Sequence, residues 1–521
     1  MKYVSVAEMI AIEKESDASG HTYARMMEYA GRGLAESIRD AYSHVRLKRV
    51  LGLVGSGNNG GDTLVAFRYL QAWGWQTTAW IVKPRPENDP LVKRFIEAGG
   101  TILQFEGGGK DQSLIETLSE YSVLVDGVFG TGIRLPLRGS VAELLDNVRR
   151  ALLEIEAPPH VVAVDCPSGV DCDSGQAAPE CIPAELTVTM AAVKQGLLKF
   201  PAFNLVGELR CVGIGLPDEL KSFESIQREV VDRVWVRQTL PARPLDAHKG
   251  TFGVVMVIAG SVHFSGAALL AGESAFRSGA GWVTLAVPEP LHSALAGSFI
   301  EATWLPLPHL HGWIAEEAAD VVVEDLDRVT ALLIGPGLGM QETTELFLKD
   351  LLHHGRGLLP AMVVDADGLK LLAQIPNWAD QLSSQAVITP HPGEMSILTG
   401  LTISEIQSNR VEIAEKFAKD WGHVIVLKGA FTVIASPEGK TAILPIATPA
   451  LARAGTGDVL AGLITGLRAQ GMSAFEAAVA GTWIHAQAGL FAADVMGNTA
   501  TVLAGDVLNA IVDVFADLNS F

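Results

Sequence analysis

Short runs rich in β-branched residues alternate with helix-patterned segments along almost the whole chain. This alternation constrains the fold most, because a parallel strand reaches its neighbour only through a crossover, usually a helix. Strands buried on both faces read as continuous apolar runs. In the first part such runs occupy 49–54 (RVLGLV), 77–82 (TTAWIV), 122–128 (SVLVDGV) and 160–165 (HVVAVD), with helical spacing over 62–73. A second series follows Pro241 and Pro244, at 252–259, 282–287, 331–335, 361–365, 386–389, 424–428 and 431–435, and helices fill the chain from about Gly457 onward. At the usual ~100–200 residues per domain, a chain of 521 residues holds more than one. The expected fold class is α/β, with two unlike three-layer αβα domains. The stretch 221–238 is more charged, lacks strand character and runs into PARP. The boundary is therefore placed there: a first domain over 1–222, a connecting segment over 223–247 and a second domain over 248–521.

Charge narrows the partners. Asp and Glu number 59 against 39 Lys and Arg, a formal net charge of −20. That removes the basic footprint a nucleic-acid binder needs, and no Lys/Arg cluster points to a membrane surface. Acids interrupt the N-terminal MKYVSVAEMIAIEKESD, so no signal peptide is expected there, and no apolar run approaches the ~18 residues of a membrane span. Cys166, Cys172, Cys181 and Cys211 form no C-x-x-C pair. They read as reduced thiols of a cytoplasmic protein, not as a zinc site. The 53 glycines exceed the usual ~7% and point to many tight strand–helix turns.

The first domain carries Gly55-Ser56-Gly57-Asn58-Asn59-Gly60-Gly61-Asp62 after a strand and before a helix. Formally this is G-x-G-x-x-G, in which glycines allow close backbone approach and the helix N-terminus presents free N–H groups to phosphate. The acid that dehydrogenases place about 20 residues further on is missing: the second strand ends in Lys83. Two asparagines and an aspartate instead fill the loop. Asp126 and Asp165 each sit where a buried strand stops, beside glycine turns. A lone Asp there is most often a helix cap or Asx turn. Two of them, with the Asn-rich loop, point to a polar site. Asn59, Asp126 and Ser168 would supply hard oxygen donors suited to an alkali or alkaline-earth cation.

These segments, GNNGGD, VFGTGIRLPLRG, VDCPSGVDCDSG and TVTMAAVKQGLLKFPA, resemble the NAD(P)HX epimerase family of the YjeF N-terminal type over nearly all of 1–220. The resemblance implies a Rossmann-like domain that interconverts the C6 epimers of hydrated NADH and NADPH. It implies that Asn58, Asn59, Gly60, Gly61 and Asp62 contact the nucleotide, together with Gly130, Thr131, Gly132, Ile133, Arg134, Leu135 and Pro136. It makes Asp165 the acid/base residue and gives potassium to Asn59, Asp126 and Ser168. Thr63 stands where the family often has a further glycine, which would crowd the loop.

In the second domain Ala454-Gly455-Thr456-Gly457-Asp458 opens a helical run. Small residues and a helix N-terminus form a pocket for charge developing on a phosphoryl group. Asp458 beside it could act as general base toward a hydroxyl, or simply complement the helix dipole. Further strand-end turns lie at 335–339 (GPGLG), 389–394 (TPHPGE) and 428–432 (KGAFT), and no P-loop motif occurs. With HKGTFGVVMVIAGS, VVDADGL and AGTGDVLAG, this set resembles the ribokinase-like superfamily over about 248–470, and closely its ADP-dependent NAD(P)HX dehydratase branch. The resemblance implies that Lys428, Gly429, Ala430, Phe431 and Thr432 bind ADP, with Gly455, Thr456 and Gly457. It places Ala267, Gly337, Leu338, Gly339, His391 and Asp458 at the hydrated nicotinamide. Thr448-Pro449 replaces a common Asn-Pro, and Arg453 intrudes near Gly455. Together the domains imply a homo-oligomeric repair enzyme for NADHX and NADPHX, using ADP with magnesium and potassium. A ribokinase-like kinase of a small alcohol, or a nucleotide-sensing regulator, are the competing readings; intact Asp458 and Asp165 disfavour the regulator.

Overall fold

The computed structural model describes residues 1–104 and 111–519. The chain forms two compact units, 1–229 and 230–521.

The first unit is built on a seven-stranded sheet, parallel throughout. Its strands are β1 (Arg49–Val54), β2 (Gln76–Ile81), β3 (Thr101–Gln104), β4 (Val123–Gly127), β5 (His160–Val164), β6 (Leu186–Met190) and β7 (Glu208–Val212). Their order is 3-2-1-4-5-6-7. Strand order therefore reverses at β1, which lies between β2 and β4, and a ligand crevice opens beyond the strand C-termini at such a point. Alternate residues of β1 bury into opposite layers, Val50 and Val54 on one face and Leu51 and Leu53 on the other. Thr22 caps the helix Tyr23–Ala41, accepting from the Arg25 amide. Gly31 of that helix lets the helix Asn58–Ala72 approach closely, since a Cβ there would lie 2.5 Å from Val65.

The second unit holds a ten-stranded sheet, whose first strand begins two residues ahead of the unit's own boundary. Its strands are β8 (Arg228–Val230), β9 (Val254–Ile258), β10 (Trp282–Pro288), β11 (Thr303–Leu307), β12 (Ala331–Ile334), β13 (Ala361–Val364), β14 (Val387–Ile388), β15 (Val424–Leu427), β16 (Val433–Ala435) and β17 (Thr441–Ile443). The order is 8-17-16-15-14-13-12-9-10-11. The run from β15 through β9 to β11 is parallel, while β15–β16 and β16–β17 are antiparallel. Val255 and Val257 feed one buried layer, and Met256 and Ile258 the other. The helices Ser265–Arg277, Thr456–Ala469, Ala474–Met496 and Ala504–Asn519 supply the first of these layers.

Two expectations change. The stretch 221–238 does contain a strand, β8, followed by the helix Arg233–Thr239. Three residues are too few to show a period, and burial of Val230, Val231 and Val236 identifies them only in the fold. The segment 223–247 accordingly divides between the two units at 229/230. The strands β3, β6, β7, β11 and β17 carry no strand signature in the sequence, because each is short or carries polar residues such as Thr187, Thr189 and Arg210.

Candidate active sites

In the first unit a cavity of about 510 Å³ opens at the C-terminal ends of the strands. Asn58, Asn59, Asp62, Gly130, Thr131, Gly132, Ile133 and Asp165 all line it. Arg134, Leu135 and Pro136 line an adjoining cavity of about 580 Å³. Gly60 and Gly61 face inward: a Cβ on Gly60 would lie 2.1 Å from the Gly55 carbonyl, and one on Gly61 2.7 Å from Met27. Thr63 is fully buried and does not crowd the loop. Its hydroxyl donates to the Asn59 carbonyl at 2.7 Å, and Gly127 leaves room for it, since a Cβ there would lie 2.1 Å from Thr63 Oγ1.

Asp165 adopts a left-handed backbone, with φ of 66°. One of its carboxylate oxygens accepts from Thr189 Oγ1 and the Met190 amide, both at 3.0 Å, and from Lys194. Lys194 is 1% exposed and also donates to the Met190 carbonyl at 2.8 Å. It is held in place by a parallel bridge between Val193–Lys194 and Tyr3–Val4. Burial disfavours its ammonium, but the Asp165 carboxylate outweighs this and raises the lysine above its ordinary value. Glu13 shares the cavity wall. Burial, with Asp165 and Glu13 nearby, holds the Asp62 carboxyl well above the usual range. The site therefore combines a Lys-paired carboxylate with a second carboxyl that favours its protonated form. Lys194 and Glu13 escaped the sequence reading; the signal was a lysine closing the apolar run TVTMAAV.

Asp126 and Ser168 are fully buried beside this cleft. Ser168 donates through its hydroxyl and its amide to Asp126, at 2.5 and 2.8 Å. The Phe129 and Val164 carbonyls converge on the Asn59 side-chain amide. Burial raises the Asp126 carboxyl, and among the described residues no Lys or Arg pairs with it. A buried carboxylate with neutral partners only, among converging oxygens, is a donor set that a hard monovalent cation fits.

In the second unit the expected residues gather at the ends of β9, β12, β13, β14 and β15, around the point where strand order reverses. Gly455, with φ of 90°, stands at the N-cap of the helix Thr456–Ala469 and offers no side chain to cap it. Gly457 lies against the next groups: a Cβ there would be 3.7 Å from both Asp365 Oδ2 and Lys428 Nζ. Lys428 pairs with Asp365 at 2.5 Å and lies 3.8 Å from Glu394, whose other oxygen is 3.3 Å from His391 Nε2. Burial, reinforced by Asp365, pushes Asp458 up to about 7. Burial likewise pushes Glu394 up to about 7. His391 is exposed and caps the helix Pro392–Thr399. Thr432 folds the Lys428 turn back on itself, donating to the Gly429 carbonyl at 2.8 Å, while Gly429 and Ala430 are exposed and Phe431 is buried. Gly337 packs against Ala267, with 3.0 Å from its would-be Cβ to the Ala267 Cβ.

Leu338 is fully buried in the core, and a Cβ on Gly339 would lie 2.0 Å from the Trp313 ring. Arg453 donates to the Ala500 carbonyl, and Thr456 ties the turn by donating to the Arg453 carbonyl at 2.8 Å. Asp365, Glu394 and His485 were missed in the sequence. His485 is buried behind Thr456, pushed down to about 4 by burial, and its Nε2 has no partner among the described residues. Only the strand-ending VVDAD hinted at Asp365. The four cysteines are free. Among the described residues no helix is long and apolar enough to cross a membrane, and no group of three or more His, Cys, Asp or Glu is placed to hold a metal.

Comparison with known proteins divides the chain in the same two places. Residues 23–196 match the family model of the YjeF-related protein N-terminus, and residues 255–512 that of NAD(P)H-hydrate dehydratase. The bifunctional NAD(P)H-hydrate repair enzyme of Moorella thermoacetica is 38% identical over 500 residues, covering 95% of this chain and 92% of that protein. The Escherichia coli enzyme of the same name is 34% identical over 511 residues, covering 96% and 91%. A Bacillus subtilis ADP/ATP-dependent NAD(P)H-hydrate dehydratase, co-crystallized with ATP/Mg2+, is 32% identical and covers 56% of this chain and 98% of its own, with a TM-score of 0.49.

Proposed function

The chain belongs to the bifunctional NAD(P)H-hydrate repair enzymes, and from that premise we propose which of its residues carry each reaction. The enzyme epimerises hydrated NADH and NADPH and dehydrates the S form in a nucleotide-dependent step. The compartment we assign is the cytoplasm, and the assembly a homo-oligomer.

In the first unit the hydrate lies in the cleft of Asn58, Asn59, Asp62, Asp165 and 130–136. C6 of the hydrate carries both the hydroxyl and the ring nitrogen. Asp165 takes the hydroxyl proton, and the C6–N1 bond opens to an aldehyde with its electron pair on N1. Asp62 supplies a proton to N1. Reclosure on the opposite face of the carbonyl inverts C6 and returns both protons. Lys194, Thr189 and the Met190 amide orient the Asp165 carboxylate for the first step, and burial raises the Asp62 carboxyl, which favours its giving a proton in the second. Potassium would be held by Asn59, Asp126 and Ser168, and would supply a positive charge to balance the buried Asp126 carboxylate.

In the second unit Asp458 takes the proton of the C6 hydroxyl as its oxygen attacks the terminal phosphate of ADP. AMP departs. Hydroxide is a poor leaving group, and phosphate is a good one: the C6–O bond breaks toward phosphate, C5 gives a proton to the departing phosphate, its C–H electron pair forms the C5=C6 bond, and the dihydropyridine returns. The Gly455, Thr456 and Gly457 backbone and the Lys428 ammonium face the transferring charge. Magnesium would arrive on the nucleotide's phosphates; the protein offers no ligand cluster of its own among the described residues. The observation that carries this reading is Asp458, a partly buried carboxyl at a helix N-terminus, held near neutrality beside Lys428 and Asp365.

The test incubates the protein with mixed NADHX epimers and ADP or ATP while following the absorbance of the restored dinucleotide. Asp458→Asn should abolish restoration and leave epimerisation in place. Normal restoration by that variant, or a stable phosphorylated alcohol as product, refutes the assignment.

A further inference from the structure

The first unit has the strand order of a dinucleotide-binding sheet, but not its charge at one decisive place. In such sheets the residue after the second strand reads the adenosine ribose: an acid there accepts from the 2′-hydroxyl, and a cation accommodates a 2′-phosphate. Here β2 runs into Val82 and then Lys83. Lys83 lines both the cleft at Gly57–Asn59 and the adjoining cavity of about 580 Å³. That second cavity also takes in Arg134 and Arg138, and no Asp or Glu lines it. In a chain of net charge −20 a pocket wall with three cations and no acid needs an explanation.

The neighbouring arginine has a different task. Arg85 pairs with Asp89 at 2.7 Å and donates to the Gly55 and Gly57 carbonyls at 2.6 and 3.3 Å, which fixes the glycine loop. Lys83 makes no such bonds. It rests over the Phe129 ring at 4.5 Å, and no carboxylate among the described residues pairs with it, with Arg134 or with Arg138. Three cations on one pocket wall match a dianionic phosphate, which accepts several charge-assisted hydrogen bonds.

We propose that Lys83, with Arg134 and Arg138, forms a subsite for the 2′-phosphate of the dinucleotide, so that the first unit prefers NADPHX to NADHX. This rests on reading the cleft as the hydrate epimerase site. The phosphate is the one group that distinguishes the two substrates, so these cations act on their ratio.

The experiment measures epimerisation of NADPHX and NADHX by the full-length protein and by Lys83→Ala, Arg138→Ala and Lys83→Glu. Affinities for NADP⁺ and NAD⁺ are measured on the same proteins. The parent should favour NADPHX by about ten-fold or more in kcat/KM. Lys83→Ala should reduce that ratio by about ten-fold, with Arg138→Ala acting in the same direction. Lys83→Glu, which restores an acid to the ribose position, should move the preference to NADHX. A parent without preference, or variants that lose both substrates in parallel, would overturn the proposal. If the parent epimerises neither hydrate, the functional reading fails. The NADP⁺-to-NAD⁺ affinity ratio still decides the subsite, because it needs no turnover: a ratio insensitive to Lys83 overturns it.

Discussion

At the scale of single residues, two carboxylates divide the chemistry, and their surroundings differ. Asp165 is held by a buried lysine, while Asp458 is lifted to about 7 by burial and Asp365. A base must be deprotonated to act, so the raised value makes dehydration rise with pH. With half-ionisation near 7, the active fraction grows about ten-fold between pH 6 and pH 8. The pH profile of kcat/KM for S-NADHX should show that limb; a flat profile over this range would place the base elsewhere. Lys194 is the residue on which the first site leans. Lys194→Met leaves a carboxylate, 8% exposed at Asp165, without its cation. Breaking a buried pair in this way costs about 3–5 kcal/mol, to be read as a lower urea midpoint for the first unit. The same variant should also lower the epimerase kcat, as the Asp165 carboxylate loses the bond that orients it. Loss of stability with an unchanged kcat would leave Lys194 a purely structural role.

At the scale of elements, glycines at two helix starts have opposite reasons. Gly60 sits in the first turn of the helix Asn58–Ala72, where a methyl group would meet the Gly55 carbonyl at 2.1 Å. Gly60→Ala should therefore cost about 1–3 kcal/mol and raise the KM for hydrate, as the loop and helix are pushed apart. Gly457 lies in the first turn of Thr456–Ala469, but its nearest groups are 3.7 Å away and belong to the reacting centre. Gly457→Ala should leave the thermal midpoint nearly unchanged, within about 0.5 kcal/mol, and weaken nucleotide use in dehydration. The pair separates a glycine required by packing from one required by a ligand. Equal effects of both substitutions on stability would remove that distinction.

At the scale of the whole molecule, two unlike units in one chain act on the two epimers of one damaged cofactor. With Asp165→Asn, a mixture of epimers should give a fast restoration equal to the S fraction, followed by a slow phase at the uncatalysed epimerisation rate. The parent should restore the whole mixture in one phase. A single complete phase in the variant would show that another residue, such as Asp126, moves the proton. Sequence alone determined the α/β class, the two units and the strand-end loops, because the central parallel strands, buried on both faces, read as apolar runs and their glycine turns are local chemistry. It also carried the family, through motifs such as GNNGGD and AGTGDVLAG whose residues are neighbours in the chain. Tertiary structure alone decided what meets what. Lys194 reaches Asp165 from another strand, Lys428 reaches Asp365 across the sheet, and Lys83 comes to one pocket from one loop while Arg134 and Arg138 come from a second. It also turned Leu338 into the core and Gly60 against Gly55. The reason is physical: a local motif states which groups a turn can offer, whereas burial and the charge of distant neighbours set their protonation. Those depend on which strands lie side by side.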